Sequence, residues 1–104
     1  MVKQVTQDDF KSEVLDDKGR VFVDFYADWC GPCKLTGPII EELANEMMNI
    51  KFVKVNVDKN PDLVSKYSIF SIPTFFIFKE GKAISQFVGA LSKENFIEEI
   101  KKTE

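Results

Sequence analysis

The segment Val21-Phe22-Val23-Asp24-Phe25-Tyr26 most constrains the fold: an unbroken run of β-branched and aromatic residues around a single aspartate. A short run of this kind reads as a strand covered on both faces, and so belongs in the middle of a sheet. From Pro32 onward, Leu35, Ile39, Leu43 and Met47 recur at i, i+4 spacing with Ile40, Ala44 and Met48 beside them, while Glu41, Glu42 and Glu46 lie elsewhere. That spacing predicts a helix with one wide apolar stripe, carrying Pro38 inside it as a kink. Residues 52–57 read as the next strand. Strand, helix, strand in this order implies a right-handed crossover and parallel pairing, hence an α/β chain.

The remaining segments fit the same class. Asn60-Pro61-Asp62 predicts a short helix through about Lys66, because a capping residue, Asn60, followed by proline is a helix-entry signal. Residues 74–78 and 83–87 read as antiparallel strands joined by a hairpin turn at Lys79-Glu80-Gly81-Lys82. Ser92 can cap a last helix with Phe96, Ile97 and Ile100 on one side, and Thr6 an early helix with Phe10 and Val14 inward. With 104 residues and no repeat or linker, one domain over residues 1–104 is expected. The net charge is −3 with no basic cluster, so neither nucleic acid nor an anionic membrane is an expected partner. No apolar run approaches the ~18 residues of a membrane span, and the first residues lack an apolar signal-peptide core, so a cytoplasmic location is expected.

Thiols in that compartment are held reduced, so the pair in Trp29-Cys30-Gly31-Pro32-Cys33-Lys34 reads as redox-active or metal-binding before it reads as a staple. Cys30 falls just before helix backbone, where free N–H groups and the helix dipole favour a thiolate. Cys33, one turn on, can reach the Cys30 sulfur, resolve a mixed disulfide and release a reduced partner. Pro32 suits the helix start, where the N–H it lacks has no intrahelical partner. A structural staple is disfavoured because closing so small a ring contributes only ~2 kcal/mol, against ~4.7 for a long loop. A zinc site needs four ligands, and the chain offers two sulfurs and no histidine. The absence of histidine also removes Cys-His and Ser-His-Asp catalysis. No cofactor is required, since sulfur itself carries the two electrons.

With this hexapeptide between strand and helix, the sequence resembles the thioredoxin family. Further matches run along nearly the whole chain: Asp24 before the motif, Pro38 in the following helix, Lys54 in the next strand, Ile72-Pro73-Thr74, and Gly89 after the last strand. The resemblance implies a thioredoxin fold, a central five-stranded mixed β-sheet flanked by four α-helices, with the motif at the start of the second helix. It implies Cys30 as the exposed attacking nucleophile, Cys33 as the buried resolving thiol, and Asp24 beneath them transferring the proton of Cys33 with support from Lys54. On the residues alone, Asp24 is either desolvated within its strand, which raises its pKa, or solvated near the strand end. Lys54 likewise either pairs with Asp24 or points to water. The resemblance makes Ile72-Pro73 a cis peptide facing the cysteines, and leaves the Ile72 backbone free to pair with an extended peptide. It assigns partner recognition to Trp29, Val57, Ile72, Pro73, Val88, Gly89 and Ala90.

Tyr26, Asp28, Ser71 and the stretch Leu35-Thr36-Gly37 depart from the commonest family residues, which bears on partner choice more than on chemistry. The implied activity is protein-disulfide reduction by a monomer. Disulfide-containing proteins are its substrates, and a thioredoxin reductase restores the dithiol. The rival from another class is a constitutive binding subunit of a larger complex, docked through the same patch.

Overall fold

The computed structural model describes all residues, Met1–Glu104. Five strands, β1 (Lys3–Gln4), β2 (Arg20–Tyr26), β3 (Lys51–Asn56), β4 (Thr74–Lys79) and β5 (Lys82–Val88), form one mixed sheet in the order β1-β3-β2-β4-β5. β2 is central, parallel to β3 and antiparallel to β4. Its side chains alternate between two buried faces. Val21, Val23 and Phe25 join a core closed by Val14 of a π-helical turn, Lys11–Leu15, by Phe10 just before it, and by Leu63 of helix α2, Pro61–Lys66. Phe22 joins the other core, closed by Ile40 and Leu43 of α1, Gly31–Glu46, and by Phe96 and Ile100 of α3, Lys93–Lys101. The result is the three-layer thioredoxin fold with four helical segments, plus a short 3-10 turn at Val57–Lys59.

Aromatic rings fill both layers. Phe22 meets Phe52, Phe75, Phe87 and Phe96 at centroid distances of 5.1 to 6.2 Å. Tilted and edge-on contacts of this kind add specificity beyond area burial.

Several local expectations need correction. The buried line of α1 is Cys33, Thr36, Ile40, Leu43 and Ala44, and Leu35 is 70% exposed. A strict i, i+4 row drifts around a helix of 3.6 residues per turn, so alternating steps of three and four stay on one face. Thr36 is tolerated there because its hydroxyl donates to the Pro32 and Cys33 carbonyls, at 3.3 Å each. α1 stops at Glu46, which leaves Met48 outside it and exposed. β3 ends at Asn56, whose Oδ1 accepts from Asp58 N (2.9 Å) and turns Val57 out of the strand. Thr6 caps the turn that precedes the π-helical segment and not that segment itself: its Oγ1 accepts from Asp8 N (3.3 Å) and its N–H donates to Asp9 Oδ1 (2.7 Å), while Phe10 and Val14 are buried as expected. β1, which residue patterning leaves unread, is two exposed residues held by pairing to Val53 and Lys54.

α2 begins at Pro61 as expected, but Asn60 gives it no side-chain cap: its Oδ1 accepts from Gln7 N (2.8 Å) and its Nδ2 donates to Asn56 O (2.8 Å). Other expectations hold. Ser92 Oγ accepts from Asn95 N (3.2 Å) at the start of α3. The β4-β5 hairpin turns through Glu80 and Gly81, both at positive φ (53° and 79°), the pairing that a two-residue turn between twisted strands requires.

Candidate functional site

β2 ends at Tyr26, and Ala27-Asp28-Trp29 carries the chain to Cys30, the N-cap of α1, with extended backbone (φ −86°, ψ 114°). The Cys30 side chain therefore sits where the first helical N–H groups have no intrahelical acceptor. Cys33 N donates to Cys30 Sγ at 3.2 Å. The two cysteines form a disulfide, with their Cα atoms 5.3 Å apart. Gly31 leaves open space where a side chain would stand, and Pro32 occupies the first turn of α1.

The expectation of an exposed Cys30 above a buried Cys33 does not hold in this oxidised form. Cys30 is 3% exposed and Cys33 7%. The bond draws both sulfurs together beside Ala27, and Tyr26, Val57 and Ile72 pack against them. The two remain unequal in what they face. Cys30 Sγ lies 3.8 Å from the Ile72 carbonyl, whereas Cys33 lines a cleft that also contains Asp24.

Asp24 pairs across the sheet with Lys54 of β3 and Phe75 of β4. It is buried, and its Oδ1 has no hydrogen-bond partner. Burial pushes its carboxyl up to about 7, with the Lys54 ammonium pulling the other way. The desolvated reading of Asp24 is the one the fold adopts. Lys54 takes neither of its two expected positions. It is half-buried, makes no ion pair with Asp24, and places Nζ over the Tyr26 ring, 5.7 Å from the centroid. The cleft, about 240 Å³, is lined by Asp24, Tyr26, Asp28, Cys33, Lys34 and Lys54 among others, with Asp24 and Cys33 both buried. A larger cleft of about 460 Å³ beyond Tyr26 and Asp28 is polar and touches neither cysteine.

On the other side of the disulfide, Trp29 is 68% exposed, and its Nε1 donates to Asp58 Oδ2 (2.8 Å). Trp29, Val57 and Ile72 line an apolar groove of about 240 Å³ with Val64, Ile69 and Phe70. Phe70, 92% exposed, is the large member that sequence reasoning missed. An aromatic in Ser68-Ile69-Phe70-Ser71 carries no periodicity that separates core from surface. The Ile72-Pro73 peptide is cis, as the resemblance implied. Pro73 itself is buried, so it is a wall behind Ile72 and not an exposed contact. Val88 and Ala90 are exposed but lie outside the groove. Gly89, at φ 97°, ties their segment to the proline corner by donating its N–H to Pro73 O (2.9 Å).

A cysteine pair capping the helix after the central strand, with an X-Pro corner against one sulfur, defines a thiol-disulfide oxidoreductase on the thioredoxin fold. The family model described as Thioredoxin matches residues 1–102, and the chain belongs to the thioredoxin family. It is similar to thioredoxin 1 of Nostoc sp. (strain PCC 7120), at 47% identity over 95% of this chain and 94% of that protein. Thioredoxin of Pyropia yezoensis is 43% identical over 97% and 95%. Thioredoxin 1 of Synechococcus elongatus is 48% identical over 86% and 84%. Family and cysteine pair together make the chain a protein-disulfide reductase.

Proposed function

We propose that the chain reduces disulfides in other proteins through Cys30 as attacking thiolate, Cys33 as resolving thiol and Asp24 as the proton acceptor of Cys33. The observation that carries the reading is the seat of Cys30 Sγ at the helix N-terminus, accepting the Cys33 N–H beside the Ile72 carbonyl. A donor there stabilises negative charge on Cys30 more than on Cys33. The Cys30 thiolate attacks one sulfur of the partner disulfide, forming a mixed disulfide and expelling the partner's other sulfur as a thiolate. Cys33 then gives its proton to Asp24, and its thiolate attacks Cys30 Sγ. The Cys30-partner bond breaks, the Cys30-Cys33 bond forms, and the second partner thiolate takes up a proton. Lys54 biases Asp24 toward the charged form from its neighbouring strand.

Trp29, Val57 and Ile72 receive the partner segment beside the disulfide, with Val88, Gly89 and Ala90 flanking it across the Pro73 corner. A thioredoxin reductase supplies the electrons that return the disulfide to the dithiol. The reading takes the chain as a monomer working in the cytoplasm. Insulin-disulfide reduction with dithiothreitol tests it. Cys30→Ser should abolish turnover, and Cys33→Ser should accumulate mixed disulfides with partner proteins. Full activity in Cys30→Ser overturns the assignment.

A further inference from the structure

Tyr26 stands two residues beyond Asp24 on β2, so its side chain leaves the sheet on the same face. Lys54 is Asp24's cross-strand neighbour on β3, again on that face. A lysine so placed has an obvious acceptor in the Asp24 carboxylate, whose Oδ1 is buried without a hydrogen-bond partner. Its ammonium lies instead over the Tyr26 ring, 5.7 Å from the centroid and inside the ~6 Å range of a cation–π contact. The ring is itself held: the Tyr26 hydroxyl donates to Gln4 Oε1 of β1 (2.9 Å). The other titratable groups on this cleft are Cys33 and Lys34 from α1 and Asp28 from the loop after β2, while β4 presents the apolar Phe75 to Asp24. Lys54 is thus the charge on the neighbouring strand whose distance from Asp24 a side-chain rotation can change, and the Tyr26 ring sets that distance.

We propose that Tyr26 is a positioning residue for the proton-transfer step: its ring parks the Lys54 ammonium at the cleft wall, off Asp24, so that Asp24 can take and return the proton of Cys33. This rests on the redox reading above. A direct ion pair draws a carboxyl toward its ordinary range, where it is a weak base at neutral pH. Removing the cation altogether has the opposite effect and leaves the carboxyl protonated. An intermediate position keeps the proton exchangeable in both directions.

The test follows the Asp24 carboxyl by carbon-13 NMR across pH, alongside the pH profile of single-turnover reduction of a disulfide peptide. Tyr26→Leu should lower the Asp24 midpoint by about one pH unit, the low end expected when an opposite charge closes on a carboxylate. Lys54→Met should raise it, the double variant should titrate like Lys54→Met, and Tyr26→Phe, which keeps the ring, should titrate like the parent. An unchanged midpoint in Tyr26→Leu overturns the proposal. So does a fall that persists in the Lys54→Met background, because water entry and not the cation would then be its cause. Should Tyr26→Leu not fold, the parent decides: Lys54 side-chain protons shifted upfield by the ring support the proposal, and random-coil shifts overturn it. The carboxyl titration is read without turnover, so failure of the redox reading in the Cys30→Ser assay leaves these outcomes separately legible.

Discussion

A carboxyl group enclosed between sheet and helix is comfortable only while it is protonated. The folded chain holds the Asp24 proton up to about pH 7, whereas the unfolded chain releases it near the ordinary value of 3.8. Between those limits the native state binds more protons than the unfolded state, so stability falls as pH rises through this window. By about pH 8 the charge on the buried carboxyl costs on the order of 4 kcal/mol, and below about pH 4 that ionisation penalty is absent. Asp24→Asn should therefore stabilise the protein by up to about that amount at pH 8 and leave it unchanged at pH 4, as urea unfolding at the two pH values will show. The same variant should slow resolution of the mixed disulfide, because Cys33 loses its proton acceptor. On the proposed mechanism the same carboxyl weakens the fold at neutral pH and takes the Cys33 proton, which links a stability measurement to the chemistry.

Among the secondary elements, the β4-β5 hairpin shows how local chemistry fixes topology. Gly81 has φ 79°, and a Cβ built there would lie 2.6 Å from the Leu15 carbonyl oxygen at the end of the π-helical turn. Gly81→Ala should cost about 2 kcal/mol or more in thermal unfolding, from left-handed strain together with a clash against backbone that cannot swing aside. The glycine and its turn could be read directly from the sequence, as could the central strand, the α2 start at Pro61 and the Ser92 cap, because each rests on a neighbour-range rule. What escaped depends on distant partners. β1 exists through pairing with β3, the inward line of α1 passes through Thr36 in place of Leu35, and Lys54 settles on a ring contributed by another strand. At the site, residue types and spacing were enough to single out Cys30 and Cys33, whereas the place of Asp24 beside them came only from the family resemblance. The near-equal burial of the two sulfurs in the disulfide and the exposure of Phe70 depend on how loops pack.

At the scale of the whole molecule, the two clefts flanking the disulfide differ in chemistry: one is lined by titratable side chains, the other is an apolar groove that includes Trp29 and Phe70. Because Phe70 is 92% exposed, Phe70→Ser should leave the melting temperature unchanged. It should raise KM by about tenfold for protein disulfides flanked by bulky apolar residues, the loss expected for ~1.4 kcal/mol of apolar contact, with kcat little altered. Equal kinetics for the variant and the parent on such a substrate would remove Phe70 from the contact surface.

The placement of β2 between β3 and β4 has a consequence for motion. Its backbone amides are hydrogen-bonded into neighbours on both sides, whereas β1 and β5 each have one free edge. In heavy water the edge amides should exchange through small local openings, and those of β2 only when the whole domain opens. The cysteine loop and the Ile72-Pro73 corner are attached to β2 and β4, elements of this slow-exchanging center. Breathing at the rim can then proceed while the sulfurs, the Asp24 carboxyl and the Ile72 backbone keep their alignment.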